Sequence, residues 1–305
     1  MEREQRFSRI AGLPFETIGA DGKGTQSRSF GASLRDILKH RHILGLFVRR
    51  DLKSRYKDSV LGFAWTLIRP ITQLAIYWVV VGKFLGAERG IPLFAIYIFT
   101  GLTAFGLFQE IVTSSTNSIV SNSGLVKKVY VPRELFPLAA TGTAIFNFAI
   151  QLMILLVACL VFGNVSISWD LLYFFPATII LLLFGTGLGL LLSAWNVYLR
   201  DVAYLVEVLM MIMLWASPIL YSWEMVQSVL TKIGAPWLLE IYLNNPITLA
   251  ILGYQQAIWG TAMHGLNSPS NMPLRMLIAV AVGLAFVYLA QRVFSRLQGN
   301  FAQEL

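Results

Sequence analysis

Six long runs of apolar residues alternate with polar connections along this chain of 305 residues. They cover residues 61–84, 93–112, 136–162, 171–195, 203–221 and 274–290. An α-helix needs about 20 apolar residues to cross the roughly 30 Å of hydrocarbon in a bilayer. Continuous runs of this kind also differ from the alternating segments of an outer-membrane barrel. The pattern therefore predicts an all-α integral membrane protein with six transmembrane helices.

The segment before the first run divides into two parts. Residues 1–32 are rich in Gly, Ser and Arg, which predicts a flexible cytoplasmic N-terminus. In residues 33–60 apolar side chains recur at helical spacing, while basic side chains occupy much of the remaining surface. We interpret residues 33–60 as an amphipathic cytoplasmic interface helix, and a simple positively charged anchor is the alternative.

Composition excludes other classes of protein. Apolar residues make up 56% of the chain and charged residues only 13%, with a mean hydropathy of +0.65, whereas soluble domains are about 25% charged. A soluble domain exposes too much surface to hide so many apolar side chains. Cys159 is the single cysteine, which excludes an internal disulfide. No nucleic-acid binding is expected, because the basic residues flank the apolar runs.

The distribution of Lys and Arg predicts the orientation in the membrane. If the N-terminus is cytoplasmic, 19 of the 24 basic residues lie in cytoplasmic segments and 4 in external ones, as the positive-inside rule requires. Both termini, including a tail at 298–305, are therefore expected in the cytoplasm. The net charge of +8 then reflects topology and attraction to the anionic inner leaflet.

Two connections differ from simple turns. Residues 119–135 alternate apolar and basic side chains, which suits docking to a partner as well as it suits a solvated loop. The docking candidates are Val126, Val129 and Val131 as apolar contacts, and Lys128 and Arg133 as charged ones. Residues 222–273 contain two apolar stretches, each too short to span, and predict short re-entrant or surface helices on the outer face between the fifth and sixth runs.

Polar side chains recur three or four residues apart within the first three runs. These stripes are Thr66, Arg69, Gln73 and Tyr77 in the first run, Thr100, Thr103, Glu110, Ser114 and Asn117 in and just after the second, and Thr143, Asn147 and Gln151 in the third. Because polar groups inside a membrane are costly, the stripes predict a bundle around a polar channel or a hydrogen-bonded core. In the simpler alternative, the charges of Arg69, Glu110 and Glu207 satisfy one another near the cytoplasmic helix ends.

The stripes and the aromatic residues together give a set of candidate channel residues. Flat rings with hydroxyl or amide neighbours suit sugars, although lipid contact is the commoner explanation for most of the rings. The channel candidates are Thr66, Gln73, Tyr77, Trp78, Phe105, Phe108 and Trp215. In the fourth run, Gly185 and Gly189 instead predict a close helix–helix contact.

The sequence shows no pattern for catalysis, a metal or a nucleotide. His40, His42, His264 and Cys159 lack the spacing of metal ligands. Residues 19–25 only superficially resemble a phosphate loop, because two residues instead of four separate the glycines. The chain is therefore predicted to be non-enzymatic, with no metal and no cofactor of its own.

Two segments resemble signature motifs of the ABC-2 permeases that export polysaccharides. The first is RDLKSRYKDSVLGFAW at residues 50–65, followed by Arg69-Pro70, and the second is NSGLVKKVYVPRE at residues 122–134. Weaker matches lie at residues 196–202, 217–221 and 245–246. The resemblance covers about residues 33–297 and leaves residues 1–32 without an assigned role.

This resemblance implies a homodimeric permease in a bacterial cytoplasmic membrane. It would be paired with two copies of a separate ATPase subunit, which binds the ATP and Mg. The substrate would be lipid-linked O-antigen, capsular polysaccharide or teichoic acid. A drug exporter of the same architecture and a membrane-embedded enzyme of glycolipid synthesis are the alternatives.

The resemblance also implies roles for individual positions within a transmembrane domain at residues 61–297. Residues 119–135 would form the coupling loop, and residues 222–273 the external gate region. The residues implied to couple to the ATPase are Arg50, Arg55, Tyr56, Val126, Lys128, Val129, Arg133 and Glu134. The residues implied to form the external gate are Pro218, Tyr221, Trp223, Asn245 and Pro246.

Overall fold

The computed structural model describes residues 30–56, 64–84, 86, 91, 93–128, 131–162, 168–260 and 269–305, and all regular structure among them is helical. In chain order the α-helices are α1 (Phe30–Lys39), α2 (Arg41–Tyr56), α3 (Trp65–Ile76), α4 (Phe94–Ser121), α5 (Ser123–Lys128), α6 (Leu135–Phe162), α7 (Phe174–Tyr198), α8 (Asp201–Ala216), α9 (Trp223–Lys232), α10 (Trp237–Leu243), α11 (Pro246–Tyr254), α12 (Met272–Leu297) and α13 (Phe301–Glu304). Two π-helical stretches, Tyr77–Phe84 and Gln255–Trp259, continue α3 and α11.

Four helical stretches in the described part of the chain are long and apolar enough to cross a membrane. They are Phe94–Ser121, Leu135–Phe162, Trp169–Tyr198 and Met272–Asn300. These stretches correspond to the second, third, fourth and sixth apolar runs. The prediction of an all-α protein with several membrane-crossing helices is therefore confirmed in this coarser form.

The first and fifth runs are helical but are not among the helices that are long and apolar enough to cross a membrane. The first consists of α3 and the π-helical stretch Tyr77–Phe84. The fifth is α8, whose 16 residues rise only about 24 Å. Helix α8 ends at Ala216 because Ser217 has extended backbone (φ −100°, ψ 151°) ahead of Pro218. Residues 217–221, expected to complete the fifth helix, are consequently not helical.

Helix α4 continues to Ser121, well past the predicted end of its run at residue 112. Its added turns are rich in Ser and Thr, and several of these side chains bond to the helix itself. Thr113 Oγ1 donates to the carbonyl of Gln109 (2.8 Å) and Thr116 Oγ1 to that of Val112 (2.7 Å). Hydroxyl groups that bond to the preceding turn let a polar sequence remain helical.

The predicted interface helix is two helices, α1 and α2, separated at His40. Helix α2 packs against α6: the rings of Phe47 and Phe136 stack with centroids 5.2 Å apart. Val48 fills the space above Gly142, where an added Cβ would lie 2.8 Å from Val48 Cγ2. Part of α2 is thus held against the helical bundle.

Helix α4 is the centre of the bundle. In its most apolar stretch 78% of the residues are buried, against 22% to 39% in the other three long helices. It packs mainly against α6 and α7, and α12 covers the other side of α7. The contact between α4 and α7 forms at Gly185 and Gly189, as the small-residue spacing predicts.

A Gly189→Ala exchange is expected to lower the free energy of unfolding by about 1–3 kcal/mol, the usual cost of overpacking. The added Cβ would lie 2.7 Å from Ser115 Cβ, so α4 and α7 would have to separate. Denaturant titration in mixed micelles measures the effect. Gly45→Ala is the control, because an added Cβ there meets nothing within 4 Å. Equal stability of the two variants would contradict this account of the contact.

Candidate functional site

The short helix α5 lies within the segment predicted to dock a partner. The backbone carbonyl of Asn122 accepts hydrogen bonds from Leu125 N (2.9 Å) and Val126 N (3.0 Å), which close its first turn. Val126 is buried, whereas Lys127 and Lys128, which follow it and end the helix, are exposed. Helix α5 therefore turns an apolar residue toward the protein and presents two cations outward.

Arg50 connects α2 to the start of α5. Its Nη2 donates to Asn122 Oδ1 (2.7 Å) and to Asp51 Oδ1 (2.7 Å). The guanidinium also lies over the Phe47 ring, 5.1 Å from the centroid. Asn122 Nδ2 in turn donates to the carbonyl of Ser118 (2.8 Å) near the end of α4. One arginine thus joins the predicted interface helix to the predicted coupling segment.

The C-terminal residues, predicted as a cytoplasmic tail, fold back beneath the coupling segment. Phe301 of α13 is fully buried in a hydrophobic cluster that also contains Val126 and Phe136. Its ring makes edge contacts with Phe294 (centroids 5.7 Å apart) and Tyr198 (6.0 Å apart). The tail is therefore part of the packing that supports α5.

Arg133 and Glu134, two of the predicted ATPase contacts, face this tail. The Arg133 guanidinium lies over the Phe301 ring, 5.7 Å from the centroid. Glu134 is 5% exposed, and its Oε1 accepts a hydrogen bond of 3.4 Å from Gln298 Nε2. Of the other predicted contacts, Val129 and the side chain of Tyr56 lie outside the described residues. The coupling role of the whole set stays a prediction.

A polar cavity of about 650 Å³ lies between α2, α3, α4 and α6. Six members of the polar stripes meet there, contributed by three separate helices. The lining consists of Arg55, Trp65, Thr66, Arg69, Pro70, Gln73, Glu110, Asn147 and Gln151. The helical spacing of polar residues therefore did indicate side chains that share one space.

The carboxylate of Glu110 is the electrostatic centre of this cavity. Its Oε1 accepts hydrogen bonds from Arg55 Nη1 (2.8 Å) and from Asn147 Nδ2 (2.6 Å). Arg69 lines the same cavity but makes no ion pair or hydrogen bond with any residue in the described ranges. Glu207 is exposed on α8. The partner of Glu110 is thus Arg55, and not Arg69 as the simpler alternative proposed.

The candidate channel residues do not all meet. Thr66 and Gln73 line the cavity, and Tyr77 packs against the main hydrophobic core. The remaining four lie elsewhere. The Trp78 ring contacts Phe162 at a centroid distance of 5.2 Å, Phe105 and Phe108 are 1% and 0% exposed in the core, and Trp215 on α8 is 63% exposed.

Two of the candidate gate residues, Pro218 and Tyr221, lie in the loop after α8. The carbonyl of Pro218 accepts hydrogen bonds from Gln255 Nε2 (2.7 Å) and Tyr97 Oη (3.2 Å). Tyr97 Oη also lies 2.9 Å from the carbonyl of Tyr221, and Tyr221 Oη donates to the carbonyl of Trp215 (2.9 Å). The backbone carbonyls of Pro218 and Tyr221 are therefore held by side chains from neighbouring helical segments.

The other gate candidates begin helices. Trp223 is the first residue of α9. Asn245 precedes α11, and its Oδ1 accepts a hydrogen bond from Ile247 N (3.1 Å), with Pro246 as the first helical residue. Asn before Pro is a favoured helix start, because the side chain caps a free N–H and proline needs none. These residues set where α9 and α11 begin.

Sequence analysis missed several residues that complete these sites. Arg55 was assigned only to ATPase coupling, although Glu110, a carboxylate in an apolar run, called for a cation nearby. Gln255 gave a similar signal, as a polar residue within the apolar stretch before Trp259. Phe301 gave no such signal, because a single aromatic residue near the end of a chain is not part of a repeating pattern.

The arrangement defines a multi-pass helical membrane protein with a polar cavity among its helices. The chain belongs to the ABC-2 type transporter family, which its residues 43–259 match. It is 28% identical over 272 residues to the O-antigen export system permease protein RfbA of Myxococcus xanthus, covering 89% of this chain and 98% of that protein.

Two further relatives have related names. The O-antigen export system permease protein RfbA of Klebsiella pneumoniae is 26% identical over 265 residues, covering 86% of this chain and 95% of that protein. The capsule polysaccharide export inner-membrane protein CtrC of Neisseria meningitidis is 23% identical over 164 residues, covering 53% of this chain and 61% of that protein. The family predicted from the two signature motifs is confirmed.

Proposed function

We propose that this chain is the permease subunit of an ATP-driven exporter that moves a lipid-linked polysaccharide across a bacterial inner membrane. It acts as a homodimer with two copies of a separate ATPase subunit, which holds ATP and Mg. One observation carries the proposal. Helix α2 bears both Arg50, which contacts the coupling segment, and Arg55, which contacts the polar cavity.

The two arginines give a mechanical route from ATPase to cavity. Five residues separate them, which is about 7.5 Å along a helix axis. Closure of the ATPase subunits displaces α5, and the contact between Arg50 and Asn122 passes this displacement to α2. Helix α2 then moves Arg55 against Glu110. Because Glu110 also holds Asn147 of α6, the walls of the cavity shift with it.

The chemistry of the cavity favours a glycan over an apolar drug. Its lining is rich in guanidinium, amide, hydroxyl and carboxylate groups. Such groups match the hydroxyl groups of sugars, whereas a drug path is expected to be lined mainly by Leu, Val and Met. The names of the relatives point to the same substrate class.

The remaining crossings and the dimer are also part of this proposal. Helices α3 and α8 supply the first and fifth crossings, which gives six with both termini in the cytoplasm. Both helices expose apolar side chains that can face lipid or a second copy. The most exposed among them include Ile71, Ile76, Leu205, Ile212 and Trp215. In the dimer α3, α4 and α8 part to form the passage, with α9 to α11 as the outer gate.

Deletion of the gene is expected to remove the surface polysaccharide of the source bacterium and to leave its lipid-linked form inside the cell. Surface staining and extraction of glycolipids from inverted membrane vesicles measure the two pools. Expression of the wild-type chain should restore export. Unchanged surface polysaccharide, with no internal pool, would refute the function. A lost internal pool would instead indicate an enzyme of glycolipid synthesis.

A further inference from the structure

We infer that the polar cavity is the site that binds the phosphorylated sugar end of the lipid-linked glycan, with Arg69 as the phosphate contact. The inference deepens the proposed function and rests on it. Of the charged groups that line the cavity, Arg55 and Glu110 form an ion pair, whereas Arg69 has no partner among the described residues.

Charge in the cavity is left uncompensated at Arg69. Two guanidinium groups and one carboxylate line the space, and Arg55 is the ion-pair partner of that carboxylate. Arg69 therefore contributes a net positive charge beside the amide groups of Gln73 and Gln151, which also make no hydrogen bond within the described residues. A guanidinium with neighbouring amide donors is well suited to a phosphate group.

A hydrogen-bond acceptor in the same cavity is also unsatisfied. Asn147 donates through Nδ2 to Glu110, but its Oδ1 is buried and has no partner in the described structure. A buried polar atom without a partner is energetically unfavourable. A ligand hydroxyl would satisfy this atom. The cavity thus offers a cation for an anion and an acceptor for a hydroxyl, and a sugar phosphate carries both groups.

The size and the edge of the cavity fit a glycan end attached to a lipid. Its volume of about 650 Å³ falls within the range of about 300–1,000 Å³ that ligand pockets occupy. Trp65 lines the cavity and is 43% exposed, which gives a flat face for a sugar ring. On the same helix Ile68 and Ile71 are exposed, so an apolar chain can leave the cavity along α3.

Equilibrium binding of a tritiated farnesyl diphosphate sugar (N-acetylglucosamine) to the full chain in phosphatidylcholine nanodiscs tests the inference. Arg69→Gln is expected to weaken binding about tenfold or more, because it removes a charge-assisted hydrogen bond. Arg69→Lys should retain part of the affinity. Arg35→Gln, which alters an exposed arginine on α1, is the matched control and should bind as the wild type does.

Two further variants separate recognition from damage to the fold. Glu110→Gln removes the negative charge beside the phosphate and should tighten binding, a gain that misfolding cannot produce. Asn147→Ala should weaken binding of the sugar-bearing probe more than binding of farnesyl diphosphate alone. Equal loss for both probes would overturn the assignment of Asn147 to a sugar hydroxyl.

Competitors distinguish the sources of phosphate. Free pyrophosphate and phosphatidylglycerol should displace the probe only weakly, since neither carries both the lipid and the sugar. Displacement by phosphatidylglycerol as strong as by unlabelled probe would overturn the glycan assignment. If Arg69→Gln binds the probe normally while wild-type cells export polysaccharide, the inference fails and the proposed function stands. If the wild type binds the probe but gene deletion leaves export intact, the proposed function fails.

Discussion

An Arg50→Met exchange is expected to reduce polysaccharide export about tenfold or more while the ATPase subunit continues to hydrolyse ATP. The exchange keeps an unbranched side chain over Phe47 but removes the charge-assisted hydrogen bonds to Asn122 and Asp51. Such bonds contribute about 1.5–3 kcal/mol each, so their loss leaves α5 and α2 free to move independently. Movement of the coupling segment then no longer reaches Glu110.

The measurement is the ratio of ATP hydrolysed to polysaccharide exported in proteoliposomes that contain both subunits. Arg49→Met is the matched control, since Arg49 precedes Arg50 on the same helix and is exposed. The control should retain the wild-type ratio. Normal export by the Arg50→Met variant would show that α2 does not carry the movement. A parallel fall in ATP hydrolysis and export would indicate lost assembly instead of lost coupling.

A Phe301→Ala exchange is expected to cost about 3–5 kcal/mol of stability, the usual range for truncation of a buried phenylalanine. The Phe301 ring is fully buried between Phe294, Tyr198 and the guanidinium of Arg133. Its removal leaves a cavity in the hydrophobic cluster that also contains Val126. We expect the coupling segment to loosen before the rest of the bundle.

Hydrogen exchange followed by mass spectrometry locates that loosening. Backbone amides of α5 and α13 should exchange faster in the Phe301→Ala variant, while amides in the centre of α4 should keep their protection. Gln303→Ala alters an exposed residue of α13 and should change neither segment. Exchange that becomes faster to the same extent across the whole chain would indicate global unfolding. Unchanged exchange in α5 would show that the tail does not support the coupling segment.

The cavity could be predicted from the sequence because helical geometry is regular. Thr66, Arg69 and Gln73 are three or four residues apart, so they share a face whatever the neighbouring helices do. The cost of a polar group in an apolar run then requires that face to meet other polar groups. The same two arguments placed Asn147 and Glu110 on polar faces of separate helices, but the bond between these two residues is seen only in the structure.

Contacts between distant segments could not be predicted in this way. Phe105 and Phe108 were chosen for a channel because aromatic rings suit sugars, but they face the core, and no local pattern separates the two environments. The break at His40 interrupts a sequence whose apolar spacing continues across it. The place of Phe301 depends on a fold in which Tyr198 and Arg133 come near the chain end, which only tertiary packing determines.

The π-helical stretch Tyr77–Phe84 has a consequence for how this protein can vary in evolution. Each residue turns an α-helix by about 100°, and a π-helical turn holds more residues than an α-helical turn. Loss of one codon within the stretch would therefore rotate Trp65–Ile76 relative to everything that follows and carry Gln73 away from the cavity. Substitutions in Tyr77–Phe84 leave this angle intact. The length of the segment therefore sets the relative angle of the residues on its two sides more directly than its composition does.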